Sequence, residues 1–358
     1  MAQRLSDHAE PAARPLPAGR AQIHTWLTYP VWGLLLAVLL FSLLLPAAAL
    51  RWQFVPFLVG MVFLGLPHGA LDHLAPLFIK HRKLTPRYLV LFVLGYLACV
   101  GLYLLFWHFA PVAALGVFLL FSWLHWGQGD AYFQRIFEDR PQARNRSEEL
   151  VRWLVRGGLP IFLPALAFPS VFARVAAGIL GWYGHAGTIS LGESGRIAGT
   201  ALLALLICAY LWLSWSGKRQ GFWRDVWEVA LLLVFFTLVP PLLAVGVYFC
   251  VWHSARHLAR LMLLDDANDL PLTLGDLTKP LLRTAWEAIP MTIGALVLLA
   301  GLFWWTGRSV ITPEALVYLY LSLIAALTFP HFLLVLWMDR EEFDQDRPHP
   351  VSIRERGN

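Results

Sequence analysis

The sequence predicts an all-α protein, a polytopic transmembrane helical bundle. Of its 358 residues, 58% are hydrophobic and only 14% are charged, whereas a soluble domain carries about 25% charged residues. Apolar stretches long enough to cross about 30 Å of hydrocarbon recur along the chain. Short segments of alternating hydrophobicity, which are typical of membrane-spanning strands, do not occur in the sequence.

About ten apolar segments are predicted to span the bilayer, with both termini on the cytoplasmic side. Pro240 and Pro241 divide an apolar run of roughly 40 residues into two helices. The connections near 80–87, 134–152 and 217–224 are basic, and the intervening ones carry few Lys or Arg, as the positive-inside rule requires. The predicted spans are 27–49, 54–79, 88–109, 112–133, 151–168, 198–216, 225–239, 242–263, 284–305 and 314–337.

The remaining residues are predicted to be two tails of a single membrane domain. Residues 1–26 are polar and rich in Arg, Ala and Pro, so we expect a disordered cytoplasmic tail. The membrane domain covers 27–337, and a second cytoplasmic tail covers 338–358. The net charge of +5 comes from basic loops that topology explains, so no nucleic-acid partner is expected. The chain is therefore expected in the cell membrane, the inner or plasma membrane of a bacterium, as a multi-pass protein.

Four histidines are predicted to lie at one depth of the bilayer. His253 and His257 are four residues apart, so an α-helix places both imidazoles on the same face. His68 and His125 lie in two other spans. Counted from the outer ends, all four are about 11 to 15 residues deep, a range of roughly 6 Å at 1.5 Å per residue. Ionisable groups at this depth are costly in hydrocarbon and mark functional sites by default.

Imidazoles without thiolates or a cage of carboxylates are typical ligands of iron, zinc or copper. Four of them around one ion leave coordination positions open for dioxygen on an ion such as Fe²⁺. We therefore predict a metal centre of His68, His125, His253 and His257, with no catalytic side chain beyond it. The alternative is that each histidine only forms a hydrogen bond with a neighbouring helix.

Polar residues near these histidines are predicted to support them. A carboxylate can accept the N–H of a metal-bound imidazole, or of one on a facing helix, and fix its orientation. Arg256 needs an anion at that depth, for which Asp72 and Asp130 are the candidates. His331 lies about 17 residues into its span, so we expect it beside the centre, with direct ligation as the alternative. The supporting set is Asp72, His73, Asp130, Arg256 and His331; an interfacial hydrogen bond explains His73 as well, and a solvated helix end explains Asp130.

Aromatic residues flank the predicted ligands instead of lying only at the ends of the spans. Such residues can form a flat, apolar tunnel for a long conjugated substrate. Plain packing of the protein interior explains them about equally well, because aromatic side chains bury large apolar areas. The residues predicted to line the tunnel are Trp123, Trp126, Tyr248, Phe249 and Trp252.

Four short motifs contain the polar residues: Pro67-His68-Gly69-Ala70-Leu71-Asp72, His125-Trp126-Gly127-Gln128-Gly129-Asp130, His253-Ser254-Ala255-Arg256-His257 and Pro330-His331. In this order and spacing, over residues 54–337, they resemble the Brp/Blh family of β-carotene 15,15′-dioxygenases. The resemblance implies iron-dependent cleavage of the central double bond of β-carotene by O₂, giving two molecules of all-trans-retinal, often for a microbial rhodopsin. It also implies that Fe²⁺ is held by His68, His125, His253 and His257.

Two other classes of function fit parts of the sequence. A membrane di-iron desaturase or hydroxylase resembles this chain in being helical and rich in histidine, but those enzymes carry several HxxHH motifs, and the sequence has none. A transporter or proton relay, or a rhodopsin-assembly factor, is compatible with His, Asp and Arg inside the membrane. No inverted repeat of the kind found in many transporters is visible. Two irons per chain would favour the first alternative, and flux without oxygen dependence would favour the second.

Overall fold

The computed structural model describes residues 18–138, 143, 145–187, 189–216, 221–305 and 312–345. In these ranges all regular structure is helical and no strand occurs, which confirms the predicted all-α class. Two π-helical segments, π1 (Met61–Gly65) and π2 (Tyr248–Ser254), and one 3₁₀ turn (Asp266–Asn268) accompany the α-helices. The α-helices are α1 (Ala18–Leu44), α2 (Pro46–Trp52), α3 (Phe54–Gly60), α4 (Leu66–Ala70), α5 (Ala75–Ile79), α6 (Pro86–Phe109), α7 (Pro111–Phe137), α8 (Arg146–Ala167), α9 (Pro169–Trp182), α10 (Glu193–Ser216), α11 (Phe222–Leu238), α12 (Pro241–Val247), α13 (Ala255–Leu264), α14 (Asp269–Thr273), α15 (Thr278–Trp305) and α16 (Pro313–Gln345).

Fewer helices than predicted are long and apolar enough to cross a membrane. Seven of the described helices qualify, or eight if α2 and the helix at Phe54–Ala70, which meet at a bend of 41°, form one span. The prediction of about ten also counted α11, which has 17 residues, and the 241–264 helix, which π2 divides. Both contain buried charged side chains, Glu228 and Arg256 among them. These two helices carry polar side chains into the protein interior. The length of an apolar segment does not distinguish such a helix from a simple membrane span.

The helices form an inner and an outer set. In α8 and α16, 56% of the most apolar window is buried inside the protein, whereas the figure is 11% in α6 and in α15. The helices with little burial expose rows of Leu, Val and Trp, which a lipid environment accommodates. The inner set includes α7, α8 and α16: α7 packs along α8, and α16 packs against α6, α7, α9 and α15. These inner helices carry buried polar side chains of the bundle.

The regular structure extends beyond both predicted limits of the membrane domain. Helix α1 begins at Ala18, earlier than the predicted limit at residue 27, because Ile23 packs in a cluster with Phe133 and Phe137. Residues 1–17 of the predicted tail lie outside the described residues. Helix α16 continues past residue 337 to Gln345. Its last turns are held by ion pairs of Asp339 and Glu342 with Arg260.

Two helices that carry π-helical segments pack closely near the centre of the bundle. The first, the 54–70 helix, consists of α3, π1 and α4, and the second is the 241–264 helix. A side chain added at Gly246 would place its Cβ 2.9 Å from the Cα of Phe57, closer than real Cβ contacts. Small residues permit this kind of approach between helices in membranes. Gly246 therefore permits the close approach of the two helices that carry His68, His253 and His257.

We expect Gly246→Ala to destabilise the protein, because the added methyl group meets the Cα and the side chain of Phe57 at 2.9–3.1 Å. Overpacking of this kind costs about 1–3 kcal/mol. The thermal unfolding midpoint in detergent measures the effect. Gly101→Ala is the matched control, since a Cβ at Gly101 meets nothing within 4 Å. An unchanged midpoint for Gly246→Ala would contradict the close packing.

Candidate metal centre

Both π-helical segments lead directly into histidines. Segment π1 ends at Gly65, and His68 follows in α4, while His253 lies within π2 and His257 in the α13 helix that continues it. Insertions of this kind are rare and frequently occur at functional sites. They also change the angle between successive side chains, so the regular α-helical spacing assumed from the sequence does not hold through His253.

The structure brings the four predicted ligands together at the centre of the bundle. All four side chains are buried. The ring centroid of His253 lies 4.8 Å from that of His125 and 5.5 Å from that of His68. The centroid of His257 is 5.7 Å from that of His68. Three helical segments distant in sequence therefore supply imidazoles to one layer.

A fifth imidazole, that of His331 on α16, lies in the middle of this cluster. Its ring centroid is 4.9 Å from His68, 4.7 Å from His125 and 5.1 Å from His257. Ligand atoms of His68, His125 and His331 all lie within 4.8 Å of one another. His253 belongs to no such group among the described residues, so the four predicted ligands are not the tightest set. Counting depth along the span placed His331 too far in, because α16 has 33 residues and is longer than a simple span, so a count from its first residue does not give the depth.

The hydrogen bonds of two rings fix which nitrogen is available to a ligand. Nδ1 of His68 bonds to the carbonyl oxygen of Gly65, and Nδ1 of His331 lies 2.9 Å from both carboxylate oxygens of Asp72. Carbonyl and carboxylate oxygens accept, so both Nδ1 atoms carry the proton. In the neutral rings Nε2 therefore presents its lone pair to the cluster.

The donor set fits a metal ion. Nε2 of His253 and Nε2 of His257 are buried without a hydrogen-bond partner in the part of the chain that is described. Such orphaned groups are expensive and need an explanation such as a bound ion. Two imidazole nitrogens on opposite sides of one ion are roughly 4.2 Å apart at bond lengths near 2.0–2.1 Å, which is close to the spacing within the cluster.

Asp72 and His73, both predicted to support the ligands, have different surroundings. The Asp72 carboxylate accepts from His331 and also from the hydroxyl of Tyr96, at 2.9 Å. Nδ1 of His73 donates to the carbonyl oxygen of Ala70, three residues earlier in the chain, at 3.1 Å, so this bond is local and joins no other helix. Tyr96 was missed, because a single tyrosine in the apolar α6 gives no signal in the sequence.

Arg256 and Asp130 belong to a second polar layer, a buried charge cluster of Asp130, Arg156, Glu228 and Arg256. Asp130 forms ion pairs with both arginines, and Arg156 also pairs with Glu228. Nε1 of Trp252 donates to Asp130 at 2.9 Å. The cluster joins α7, α8 and α11 to the 241–264 helix and so holds the segment that carries His253 and His257. Asp130 is 3% exposed, which rules out the solvated helix end considered from the sequence.

The five aromatic residues of the predicted tunnel lie in three different places. Trp126 and Phe249 line a cavity beside the histidines. Tyr248 and Trp252 stack on each other, with ring centroids 5.7 Å apart, on the side of the charge cluster. Trp123 donates from Nε1 to the carbonyl oxygen of Leu154 at 2.8 Å, in the interface with α8. Trp123, Tyr248 and Trp252 do not line the cavity, because they lie on other faces of their two helices than Trp126 and Phe249 do.

The cavity is predominantly apolar and has a volume of about 520 Å³. His68, His125, His331 and Asp72 form part of its wall, and apolar residues of α6, α7, α8, α9, α15 and α16 form most of the remainder. Pockets of about 300–1,000 Å³ with a few convergent polar groups are typical ligand sites. The exposed residues among those that line it lie on α6 and α15 only: Leu97, Gly294, Val297 and Leu298.

Known proteins resemble this chain over most of its length. The sequence model of the family described as "Beta-carotene 15,15'-dioxygenase" matches residues 59–339. A relative from Halobacterium salinarum, named "Probable beta-carotene 15,15'-dioxygenase Blh", is 40% identical over 298 residues, which are 80% of this chain and 85% of the relative. A second protein of that organism, with the same name but the suffix Brp, is 27% identical over 82% of this chain and 86% of its own length. "Beta-carotene 15,15'-dioxygenase" of the uncultured marine bacterium 66A03 is 24% identical over 82% of this chain and 94% of its own. No solved structure matches the chain.

We expect Asp130→Ala to destabilise the bundle strongly. It leaves the guanidinium groups of Arg156 and Arg256 buried without their shared partner, and removing one member of a buried ion pair costs about 3–5 kcal/mol. The thermal unfolding midpoint in detergent should fall well below that of the wild type. Lys279→Ala is the control: Lys279 pairs with Asp276 but its side chain is 78% exposed, and exposed pairs contribute about 0–1 kcal/mol. Equal midpoints for both variants would contradict the role of the charge cluster.

Proposed function

The chain belongs to the β-carotene 15,15′-dioxygenase family, and we propose that it cleaves the central 15,15′ double bond of β-carotene with O₂ to give two molecules of all-trans-retinal. In this reaction the carbon–carbon double bond breaks and each new aldehyde receives one of the two oxygen atoms. The observation that carries the proposal is a cluster of buried imidazoles, with unpaired nitrogens, on the wall of an apolar cavity.

We propose that the metal is Fe²⁺ and that His68, His125, His253 and His257 hold it. A bound Fe²⁺ supplies the one-electron chemistry that makes O₂ reactive toward a double bond. Neutral imidazoles suit this ion, and no thiolate or carboxylate cage competes with them in the described part of the cluster. The chain's own contribution is to orient the rings through Gly65 and Asp72, and to keep bulk water away from the centre.

The cavity suits a long hydrocarbon that has no hydrogen-bonding groups. Its wall is apolar apart from the histidines and their partners, so the polyene is held by burial of apolar surface. Trp126 and Phe249 present flat rings next to His253, with centroids 5.6 Å from that imidazole in both cases. A polyene packed against these rings lies directly beside the metal centre. Position along the cavity, not polar recognition, selects the bond that is cleaved.

The substrate reaches the cavity sideways, from the bilayer. The four exposed residues of the cavity wall lie on α6 and α15, the helices with the least burial, and Val297 exposes 64% of its surface. Both helices pack against α16, but they do not pack closely against each other. We call the gap at Leu97, Gly294, Val297 and Leu298 the lateral mouth. A carotenoid dissolved in lipid passes through it without crossing water, and retinal leaves into the same bilayer, where a microbial rhodopsin can bind it.

The alternatives considered from the sequence find less support. A di-iron site needs a second set of ligands, and the described residues contain one compact imidazole cluster. A transporter, proton relay or rhodopsin-assembly factor accounts neither for the unpaired imidazole nitrogens nor for the family to which the chain belongs. We therefore place the protein in the cell membrane as a multi-pass, carotenoid-cleaving enzyme.

Expression in a bacterium that accumulates β-carotene tests the reaction. We expect the cells to bleach and to yield retinal, because cleavage at the centre shortens the conjugated system. His253→Ala and His257→Ala should abolish retinal and metal together, while His185→Ala, at an exposed position, should retain both. Unchanged pigment in cells that contain folded wild-type protein and sufficient iron would refute the proposed function.

Filling the lateral mouth should slow substrate binding without affecting the metal. A Cβ at Gly294 meets nothing within 4 Å, so Gly294→Trp folds but obstructs the gap. We expect kcat/KM for β-carotene in detergent or liposomes to fall by about tenfold or more, which is at least about 1.4 kcal/mol, with normal iron content. Gly301→Trp, at a position on the same helix that is also open but does not line the cavity, should have wild-type kinetics. Equal kinetics of the two variants would contradict this route.

A further inference from the structure

We propose that His331 is a fifth imidazole ligand of the metal centre and that Asp72 and Tyr96 hold it in position. The inference rests on the proposed function in one respect, namely that an ion is bound by the imidazole cluster. It adds a residue outside the four-histidine set and a hydrogen-bonded chain of three side chains from three separate helical segments.

The position of His331 is the first reason. It takes part in both groups of residues whose ligand atoms lie within 4.8 Å of one another, the first with His68 and His125 and the second with Asp72 and His257. Its Nε2 lies 3.1 Å from Nε2 of His125. An ion bound by His68, His125 and His257 therefore lies within reach of His331, whose side chain is 4% exposed.

The state of its ring is the second reason. Both carboxylate oxygens of Asp72 lie 2.9 Å from Nδ1, so that nitrogen donates and Nε2 carries the lone pair. The lone pair of His331 Nε2 points at Nε2 of His125, 3.1 Å away. Without an ion a neutral His125 donates its Nε2 proton to that lone pair, whereas a cation bound between the two nitrogens accepts a lone pair from each ring. An imidazole whose other nitrogen donates to a carboxylate is the common arrangement of metal-bound histidine.

The third reason is that Asp72 is itself fixed. Its second oxygen accepts from the hydroxyl of Tyr96 at 2.9 Å, and its backbone N–H donates to the carbonyl oxygen of Gly69. The chain Tyr96–Asp72–His331 thus connects α6, the turn after α4 and α16. A histidine that only bridged two helices would not need a carboxylate held from both sides. Five imidazoles would occupy five of the six coordination positions of an octahedral ion. Only one position would then remain for O₂ or another ligand.

Binding and absorption of Co²⁺, a spectroscopic substitute for Fe²⁺, test the inference in the purified full-length protein. The visible absorption of Co²⁺ reports its coordination number and geometry, and titration gives its affinity. We expect His331→Gln to weaken binding by about 100-fold or more and to change the spectrum. Asp72→Asn, which retains the ligand but weakens its orientation, should lose about 10- to 100-fold in affinity, and Tyr96→Phe should lose less.

His73→Gln is the matched control, because His73 is a buried histidine next to Asp72 whose side chain bonds to the carbonyl oxygen of Ala70 and which belongs to neither ligand group. It should keep the wild-type affinity and spectrum. An unchanged spectrum in His331→Gln, with or without loss of affinity, would overturn the inference and leave the proposed function intact. Failure of the wild-type protein to bind Co²⁺ or Fe²⁺ would overturn both. If His331→Gln does not fold, a wild-type affinity in Asp72→Asn overturns the inference instead.

Discussion

The central constraint of this structure is the burial of five imidazoles in one layer of an apolar bundle. Each ring carries a nitrogen lone pair or an N–H that needs a partner, and hydrocarbon provides none. His68 and His331 are satisfied at Nδ1 by Gly65 and Asp72, whereas Nε2 of His253 and Nε2 of His257 have no partner among the described residues. A single cation satisfies the remaining lone pairs together, so the ligands and the fold of the centre depend on the same interaction.

The charged residues are kept apart from that layer. In the buried charge cluster two guanidinium groups, of Arg156 and Arg256, face two carboxylates, of Asp130 and Glu228. The formal charges of these four residues therefore sum to zero, although Arg256 lies between two of the histidines in sequence. Desolvated pairs of this kind are costly unless they are complete. In this protein the ion pairs of Arg256 fix the orientation of the 241–264 helix about its own axis. They thereby also fix the direction in which His253 and His257 point.

Much of the fold and part of the site follow from the sequence. Apolar length predicts the helices, and depth counting predicts that His68, His125, His253 and His257 share a layer. The number of spans does not follow, because α11 and the 241–264 helix are apolar enough to resemble spans yet carry Glu228 and Arg256 into the interior. The sequence predicts His331 beside the centre, but its position within the cluster and the contact of Tyr96 with Asp72 do not follow from the sequence. Their place depends on where α16 and α6 begin and on how they pack, and π1 and π2 leave no mark in local sequence.

The most direct test is X-ray absorption at the iron edge of the purified protein, loaded with Fe²⁺ without oxygen. The account predicts one iron per chain, a first shell made of nitrogen, and the outer-shell scattering that imidazole rings produce. Iron that does not bind in stoichiometric amount, a first shell dominated by oxygen or sulfur, or scattering from a second iron would contradict the central claim.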